Sequence, residues 1–413
     1  MTSSATDASG IPAEMSRPVR AGTPQLRWLF EQIGAEVLDR DRDRRAPHAE
    51  YALLKQLRLG ALRVPAGLGG GGCSIRELFE TVIELAAADP DVSHSLRNHF
   101  LFVESRARLA AAGVHDPLLA LALDGAIFGS AASEPDTPNI GGVSTEFDSR
   151  LVPDGDGYRL NGTKVYSTGN LYADYIIISA QDPAGKLVQV VVPAGRDGVL
   201  IDDDWDGIGQ RLTGSGTTRF VDVRVEQADF FSGGSAPGQR APYSATYAQL
   251  WLTSVIAGIL KRLVLDAVDL VHGRSRSYYH APAEQPAQDI ILQETLGYIS
   301  ANAYVAEAAV LAAADRLEGA WGAVQAGAPD LDLSLAAALA AAKAKVTVDE
   351  IAQRTSSMLF DVGGATAARQ SKQLDRHWRN IRTLASHNPR SYKAKWIGDY
   401  ELNRTPLPTG AYF

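Results

Sequence analysis

The feature that most restricts the fold of this chain is a change of sequence texture near Gly125 that reverses near Ala245. On either side, apolar residues recur at helical spacing, and the second helical region is rich in Ala and Leu. Between them, short β-rich runs are separated by turn residues. Because strands and helices are segregated along the chain rather than alternating, this order predicts an α+β protein with helical ends and a β centre.

The helical regions carry recognisable start signals and periods. Ser74 followed by Glu77 before an apolar run indicates a capping-box helix start, and Tyr51 to Leu59 and Pro117 to Leu123 have helical periods. In the second region, long helices are predicted at Tyr247–Val271, Ile290–Glu318, Leu333–Leu359 and Gln370–Thr383. Such a series of helices favours a four-helix bundle.

The central region is predicted to be antiparallel. Asn161-Gly162 lies between alternating segments, and Asn-Gly is the strongest local hairpin signal because a type I′ turn needs positive φ at both central residues. Further strands are predicted at Ile176–Ser179, Val188–Val192 and Arg219–Val225. These runs favour an antiparallel sandwich or barrel over a parallel sheet.

These textures predict a leader followed by three units. Residues 1–23 are expected to be a flexible leader, 24–126 a helical domain, 127–235 the β domain, and 236–413 a helical bundle with a C-terminal extension. The leader lacks the layout of a secretory signal, and no apolar run approaches the roughly 20 residues that span a bilayer, so a cytoplasmic protein without a membrane partner is expected. With 40 basic against 48 acidic residues, the chain is not expected to bind nucleic acid.

Cysteine, histidine and glycine usage argues against other site classes. The single cysteine, Cys73, excludes an internal disulfide and a multi-thiolate metal site, and the histidines lack metal-ligand spacing, so no metal is expected. A Gly-x-Gly-x-x-Gly pattern runs from Gly67 to Gly72, but it lies inside a helical region and no parallel strand follows it. We interpret it as a loop between helices rather than a dinucleotide-binding turn.

Charge is unevenly distributed in the second helical region. Between Arg369 and Lys395, eight basic side chains accompany a single acid, Asp375. Two interpretations stay open here: an anion site, such as one for a phosphate, and a solvated helix face with salt bridges between subunits. Two stretches lack Asp and Glu altogether, from Phe230 to Leu265 and from Arg376 to Gly398.

Several motifs resemble those of the acyl-CoA dehydrogenase superfamily. Val64-Pro-Ala-Gly-Leu-Gly-Gly70 is similar to its N-terminal loop, and Ser130-Ala-Ala-Ser-Glu-Pro-Asp136 to the opening of its middle domain. Leu160-Asn-Gly-Thr-Lys-Val-Tyr-Ser-Thr-Gly169 is similar to its central hairpin. The resemblance implies the acyl-CoA dehydrogenase fold: an N-terminal helical domain, a middle β domain and a C-terminal four-helix bundle.

Other motifs resemble one branch of that superfamily, the dibenzothiophene monooxygenase group. They include Asp203-Asp-Trp-Asp-Gly-Ile-Gly-Gln-Arg-Leu-Thr-Gly-Ser-Gly216, Leu374-Asp-Arg-His-Trp-Arg-Asn-Ile-Arg-Thr383, Ser386-His-Asn-Pro389, Lys395-Trp-Ile-Gly398 and Leu402-Asn-Arg-Thr-Pro-Leu-Pro408. Together the motifs cover most of the chain.

This resemblance implies a reduced-flavin-dependent monooxygenase that forms a C4a-hydroperoxyflavin with oxygen. Its substrate would be a small organic molecule, oxygenated at sulfur, at nitrogen or at an aromatic carbon. A dehydrogenase of this fold takes a carboxylate base from a late loop or an early bundle helix, and both positions fall in the stretches that lack acids. Because no NAD(P)H-binding module is evident, we expect reduced FMN from a separate NAD(P)H:flavin reductase, with FAD possible, and a homotetramer.

The resemblance also assigns site residues. Ser167 would approach the flavin ring, His387 would hydrogen bond to the peroxide or assist proton transfer, and His99 would line the substrate pocket. An ordinary histidine pKa of about 6.5 would allow His387 either role at neutral pH. The expected cofactor-binding residues are Tyr166, Ser167, Trp205, Arg274, Arg276, Gly363, Gly364 and Arg382.

Alternatives remain for the roles of the site residues and for the function of the chain. Ser167 can instead satisfy its own strand end, and His387 can be a structural residue at an Asn-Pro turn. Leu384 and Ala365 stand where some relatives carry a second histidine and an arginine, so the pocket is expected to differ from that of dibenzothiophene oxidation. The alternative functions are an acyl-CoA dehydrogenase or flavin oxidase with a relocated base, and a non-catalytic interaction protein.

Overall fold

The computed structural model describes residues 18–135, 147–231 and 242–413. Residues 1–17 of the predicted leader, 1–23, fall outside these ranges. So does the Asp136 end of the motif that opens at Ser130.

Helices make up the first part of the described chain. They are α1 (Pro24–Gly34), α2 (Val37–Asp43), α3 (His48–Gln56), α4 (Ile75–Ala88), α5 (Pro90–Ser95), α6 (Arg97–Ala111) and α7 (Pro117–Leu123). The capping box is confirmed, since the Ser74 hydroxyl accepts from the Glu77 amide and the Glu77 carboxylate accepts from the Ser74 amide. The glycine-rich segment forms the loop that leads into α4, as predicted.

The middle region is a sheet of short strands. They are β1 (Phe128–Ala131), β2 (Arg150–Asp154), β3 (Gly157–Lys164), β4 (Tyr175–Gln181), β5 (Leu187–Pro193), β6 (Val199–Ile201) and β7 (Thr218–Val225). The order is β1-β4-β2-β3-β7-β6, with β5 on β4. Most neighbours are antiparallel, but β1 runs parallel to β4, so the sheet is mixed rather than purely antiparallel. The intervening β2–β3 hairpin supplies the long connection that a parallel pair needs.

The hairpin turn predicted at Asn161-Gly162 is wrong. Both residues lie inside β3, and the pairing of Asp154 with Gly157 leaves a two-residue turn at Gly155 and Asp156. Gly155 has φ +61° and supplies the left-handed backbone that the turn needs. Asn161 instead accepts a hydrogen bond from the Asp222 amide at an irregularity in the β3–β7 pairing.

The C-terminal region is helical, as predicted. Its helices are α8 (Thr246–His272), α9 (Ile290–Gln325), α10 (Leu331–Gly363), α11 (Asp375–Ser386) and α12 (Arg390–Asn403). Helix α8 lies at the centre and packs against α9, α10, α11 and also α4. The four-helix arrangement is therefore joined by a helix from the N-terminal region.

One apolar core spans the two helical regions. Phe79 on α4 meets Trp251 on α8 edge to face, with ring centroids 6.2 Å apart. The Trp251 indole also donates to the Ser93 carbonyl oxygen at 2.9 Å. Full burial of a large apolar side chain stabilises a fold by roughly 1.5–3 kcal/mol. The contacts of Trp251 therefore help to hold α5 against α8.

Helix α9 is long and apolar enough, by length and composition alone, to cross a membrane. The expectation from the sequence considered only unbroken apolar runs of roughly 20 residues. It therefore did not single out this helix, in which a few polar residues interrupt the apolar ones. In the fold, α9 packs along α8 and α10. Its outward face leaves large apolar side chains exposed: Ile290, Ile291, Tyr298, Tyr304 and Val305.

Candidate active site

Ser167 lies just after β3, in a loop that is tied to the segment before β7. Its amide donates to the Gly216 carbonyl oxygen at 3.1 Å, and the neighbouring Thr168 hydroxyl is 2.8 Å from that of Ser215. The Ser167 side chain is buried, yet its Oγ has no hydrogen-bond partner within the described part of the chain. A buried hydroxyl without a partner is unfavourable, so this atom is available to a ligand.

Tyr166 and Trp205 form an aromatic edge beside Ser167. Their ring centroids are 6.3 Å apart at an interplanar angle of 72°. Tyr166 has φ +53° and leaves 68% of its surface exposed, which is unusual for both its backbone and its ring. The Trp205 indole donates to the Gln210 carbonyl oxygen at 2.8 Å and is thereby fixed.

Gln210 connects this loop with α5. Its Oε1 lies 2.8 Å from Nδ1 of His94, while its Nε2 is buried without a partner among the described residues. Its amide donates to Asn380 Oδ1 at 2.6 Å, which places the loop on α11. The adjacent Gly209 permits this close approach, since a Cβ there would overlap the Arg379 backbone.

His94 is neutral in this environment. Burial, reinforced by the charge of Arg97, lowers the pKa of His94 to about 3 against the partial opposition of the Gln210 contact. With Nδ1 donating to Gln210, the other ring nitrogen is left as an acceptor.

His387 ends α11 and begins the turn into α12. Its side chain is exposed to solvent, although many protein atoms lie near the ring. Desolvation, followed by the charges of Arg97, His94, Lys345 and Lys393, lowers its pKa well below the usual value. This lowered pKa favours a neutral ring at neutral pH, and the role expected for His387 stays a prediction.

The C-terminal segment covers this turn. The ring of Tyr412 stands 5.6 Å from that of His387. The segment is held by hydrogen bonds from Gln249 to the Ala411 carbonyl at 2.7 Å and from the Lys393 amine to the Tyr412 carbonyl. Burial raises the pKa of the Tyr412 phenol, and the nearby Arg97 charge opposes this.

His99 does not join this cluster by any contact among the described residues. It is fully buried, its Nε2 is 3.1 Å from the Gly60 carbonyl oxygen, and its Nδ1 accepts from the Phe128 amide at 3.2 Å. Burial lowers its pKa to about 4. Both ring nitrogens are thus bound to backbone groups, an arrangement that favours a structural role.

Four of the expected cofactor-binding residues lie at or just after the ends of α8 and α10: Arg274, Arg276, Gly363 and Gly364. The resemblance implies that the two arginines bind the flavin phosphate. Arg274 donates to the Val362 carbonyl oxygen at 2.9 Å and stacks on Tyr278. Gly364 has φ +56°, and a Cβ there would lie 2.8 Å from the Tyr278 hydroxyl. Arg276 is exposed, and Gly363 ends α10. No contact among the described residues joins this group to Ser167.

Most of the basic side chains on α11 form ion pairs. Arg376 and His377 both bind the Asp266 carboxylate, at 2.7 and 2.6 Å, and Arg379 binds Asp41 at 2.9 Å. Arg382 is exposed and donates to Gln353. This favours the salt-bridge interpretation of the cluster, although the bridges lie within one chain rather than between subunits.

Asp266 is the first carboxylate after the acid-free stretch of α8. Burial opposes its ionisation, but the bond to His377 and the charges of Arg376 and Arg262 outweigh it and hold the pKa well below the usual range. Each partner lies within 2.8 Å of a carboxylate oxygen. An engaged, strongly acidic carboxylate is a poor proton abstractor.

An open recess of about 520 Å³ on the β sheet shares no residue with this cluster. Its arginines already bind carboxylates, Arg196 to Asp229 and Arg224 to Asp156. We therefore assign it no function.

The fold brings together residues that the sequence did not single out: His94, Arg97, Gln210 and Tyr412. They come from α5, α6, the loop before β7 and the C-terminal segment. One signal was available for Gln210, because it lies within a motif already quoted for the resemblance. No local pattern marks the other three.

Comparison with known proteins identifies the family. Residues 250–391 match the model of the acyl-CoA dehydrogenase C-terminal domain. The dibenzothiophene monooxygenase of Rhodococcus erythropolis is 30% identical over 396 residues, covering 92% of this chain and 93% of that protein. The chain belongs to the dibenzothiophene monooxygenase family.

Other members agree with this family. The probable FMNH2-dependent monooxygenase SfnC of Pseudomonas putida is 29% identical over 406 residues, covering 96% of this chain and 99% of that protein. The FMN-bound structure of TdsC from Paenibacillus sp. A11-2 superposes with a TM-score of 0.81 at 25% identity, covering 94% and 98% of the two chains. The expected fold and the expected reduced-flavin-dependent monooxygenase activity are confirmed.

The described residues fit a flavin of this family. The unpartnered Ser167 hydroxyl and the Tyr166–Trp205 edge offer a polar atom and an aromatic wall side by side. A flavin ring needs both, because its edge carries hydrogen-bonding atoms and its faces are apolar.

Proposed function

We propose that this monooxygenase transfers one oxygen atom of O₂ to a sulfur or nitrogen atom, or to an aromatic carbon, of a small organic substrate in the cleft between Ser167 and His387. The observation that carries the proposal is the buried Ser167 hydroxyl, which has no partner among the described residues and lies next to the Tyr166–Trp205 aromatic edge. The overall reaction balances: substrate, O₂ and reduced flavin give oxygenated substrate, water and oxidised flavin.

Bound FMN supplies the two electrons and activates oxygen, and this chain's residues hold and shield it. Ser167 offers its free hydroxyl to the polar edge of the ring, while Tyr166 and Trp205 pack beside it. Arg274 and Gly364, with Arg276, Gly363 and Arg382, bind the phosphate end. As the family resemblance implies, we assign this second group to the flavin of a neighbouring subunit.

His387 is neutral and therefore both donates and accepts one hydrogen bond. Its N–H is suited to stabilise negative charge that develops on oxygen during transfer, and its other nitrogen can take up a proton. Tyr412 covers the ring and limits the access of water. Exclusion of water suppresses the loss of reducing equivalents as hydrogen peroxide.

His94 and Gln210 form the opposite side of the cleft. Gln210 fixes the His94 tautomer, which leaves one imidazole nitrogen as an acceptor and one Gln210 amide as a donor. A substrate that lies between His94 and His387 meets a donor and an acceptor at each end.

The alternative function is an acyl-CoA dehydrogenase or flavin oxidase with a relocated base. Asp266 is the nearest carboxylate in sequence to the missing position on α8, and its ion pairs with Arg376 and His377 make it a poor base. This weighs against the alternative.

The partners follow from the same proposal. A separate NAD(P)H:flavin reductase supplies the reduced flavin. The exposed apolar face of α9 is suited to burial against a second copy of the chain, in a homotetramer. We place the enzyme in the cytoplasm.

A single-turnover experiment tests the proposal. Protein, photoreduced FMN and ¹⁸O₂ are mixed with thioethers, amines and phenols, and products are identified by mass spectrometry. One ¹⁸O atom in a product is expected. Anaerobic bleaching of FMN or FAD by an acyl-CoA, with no oxygenated product in air, would establish the alternative instead.

A further inference from the structure

Arg97, at the start of α6, is a cation without a partner. Its Nε is enclosed by protein and makes no hydrogen bond, and neither a hydrogen bond nor an ion pair links its guanidinium to any described residue. Arginines buried to this degree are almost always paired, because desolvating a charge is costly. Arg40, by contrast, is buried and binds both Asp89 and Glu50. Arg108 also has a buried Nε without a hydrogen bond, but its guanidinium stacks on Trp321.

Arg97 lies next to the candidate site. It follows His94 by three residues. The Ser95 carbonyl oxygen between them packs so closely against Gly169, two residues after Ser167, that a Cβ on this glycine would lie 2.6 Å from it.

The Arg97 charge lowers the pKa of both His94 and His387 and acts on the Tyr412 phenol, so it lies close to all three groups. Burial lowers the pKa of Arg97 itself to about 10, which keeps the guanidinium charged at neutral pH.

The other charges around the cleft leave it positive. Lys345 and Lys393 act on His387 from α10 and α12. Burial and the Lys345 charge lower the pKa of Lys393 to about 7, so this amine is only partly charged at neutral pH. Asp349, the carboxylate beside the two lysines, is already bound to Lys345 at 2.6 Å. Burial lowers the pKa of both histidines, which favours their neutral forms at neutral pH. The cleft therefore contains an unmatched positive charge and is suited to an anion.

We propose that Arg97 is a specificity-determining residue that binds an anionic group of the substrate, so that the enzyme oxygenates small organic acids in preference to their neutral analogues. This inference rests on the proposed function and adds a substrate class to it. Arg97 would hold a carboxylate, sulfinate or sulfonate through paired N–H donors, with the oxidisable atom directed at His387.

The flavin phosphate is the other anion that could pair with Arg97. Arg274 and Gly364 are the candidates for that group, and they lie at the far ends of α8 and α10 without contact to His94 or His387 in the described chain. Arg97 instead lies near His94 and His387, which we place beside the reacting atoms. This position favours a substrate anion over the flavin phosphate as its partner.

The test compares matched acids and amides in the wild type, Arg97→Gln and Arg97→Lys. The probes are (methylthio)acetate against (methylthio)acetamide, and benzoate and methanesulfonate against benzamide and methanesulfonamide. Binding to the FMN-loaded protein is measured by calorimetry, sulfoxide formation by chromatography and FMN affinity by fluorescence. Arg108→Gln is the control, because Arg108 lies on the same helix and stacks on Trp321 away from the cleft.

In the wild type, at least one acid is expected to bind or react roughly 10- to 100-fold better than its amide, as for a charge-assisted hydrogen bond. Arg97→Gln should abolish this preference, Arg97→Lys should keep part of it, and FMN affinity should not change. No preference in the wild type, or an unchanged preference in Arg97→Gln, would overturn the inference. So would a loss of FMN affinity in Arg97→Gln, which would assign the residue to the flavin phosphate.

Failure of the proposed function would look different. If hydrogen peroxide were the sole product with every probe, oxygen transfer would be excluded for these compounds. The calorimetric acid–amide preference would still decide whether Arg97 binds anions.

Discussion

The imidazole of His387 and the phenol of Tyr412 stand edge to face, with centroids 5.6 Å apart and an interplanar angle of 64°. This contact joins the turn between α11 and α12 to the C-terminal segment. A histidine that must remain accessible to substrate is thereby shielded on one side from bulk water.

His387→Ala is expected to uncouple the reaction. Without the ring, developing negative charge on oxygen loses a donor, and reducing equivalents leave as hydrogen peroxide. A group of this kind typically contributes 10²–10⁴-fold to a proton-transfer step. Product and peroxide are measured together per reduced FMN consumed, with His115→Ala, at an exposed loop residue, as the control. Unchanged coupling would remove His387 from the chemistry.

Ser167→Ala is expected to weaken FMN binding without loss of stability. The hydroxyl has no protein partner to lose, so its contribution is to the ligand. One hydrogen bond corresponds to roughly 3- to 10-fold in the dissociation constant. Fluorescence titration and thermal melts give both quantities. Ser357→Ala, at an exposed hydroxyl bonded to its own helix, should change neither. A stability loss with intact FMN affinity would favour the strand-end role.

His99→Phe is expected to destabilise the fold and leave the kcat/KM of the folded enzyme unchanged. The change leaves the buried Gly60 carbonyl and Phe128 amide without a hydrogen-bond partner. Each lost hydrogen bond is expected to lower the free energy of unfolding by roughly 1–3 kcal/mol. A fall of kcat/KM with unchanged stability would instead support the pocket role expected from the resemblance.

The same variant changes the pH dependence of stability. The pKa of His99 lies at about 4 in the fold against 6.5 ordinarily, so between these values the unfolded chain binds more protons. Stability is therefore lost as the pH falls from 6.5 towards 4, by up to about 1.4 kcal/mol per pH unit for this residue. His99→Phe should show a shallower loss in urea denaturation across that range, although His377 still contributes in the same direction.

Asp266→Asn is expected to cost roughly 3–5 kcal/mol of stability, because Arg376 and His377 lose their buried counter-charge. Asp269→Asn, at an exposed position on the same helix, is the matched control and should have little effect. The folded fraction of Asp266→Asn should still oxygenate substrate. If its folded fraction lost all turnover, Asp266 would have a chemical role after all.

Local signals sufficed for the helices and most strands. The capping box at Ser74 and the periods of α8, α9 and α10 were predicted because they depend on near neighbours. The hairpin turn was placed wrongly at Asn161, because a second turn signal, Asp154-Gly155, lies seven residues upstream and forms the actual turn. Leu151 and Leu160 pair across β2 and β3, and both are buried in the core. Their burial fixes the register of the two strands and so places the turn at Gly155 and Asp156.

The site was only half predictable. Ser167 and His387 lie in motifs that the resemblance could carry over. His94 and Arg97 acquire their surroundings from Gln210 and Tyr412, more than 100 residues later in the chain. The lowered pKa of His387 also depends on desolvation and on charges from α6, α10 and α12, which only the folded chain brings together.

The core shared by α4 and α8 has a consequence for how this enzyme is made. The buried face of α4 finds its partners only when residues near Trp251 and beyond have been synthesised. Until then the nascent N-terminal helices present an uncovered apolar surface, which is the kind of surface that chaperones bind and that aggregates form on. We therefore expect slow maturation on the ribosome, and a separately expressed N-terminal helical fragment should need the bundle supplied in trans to become soluble.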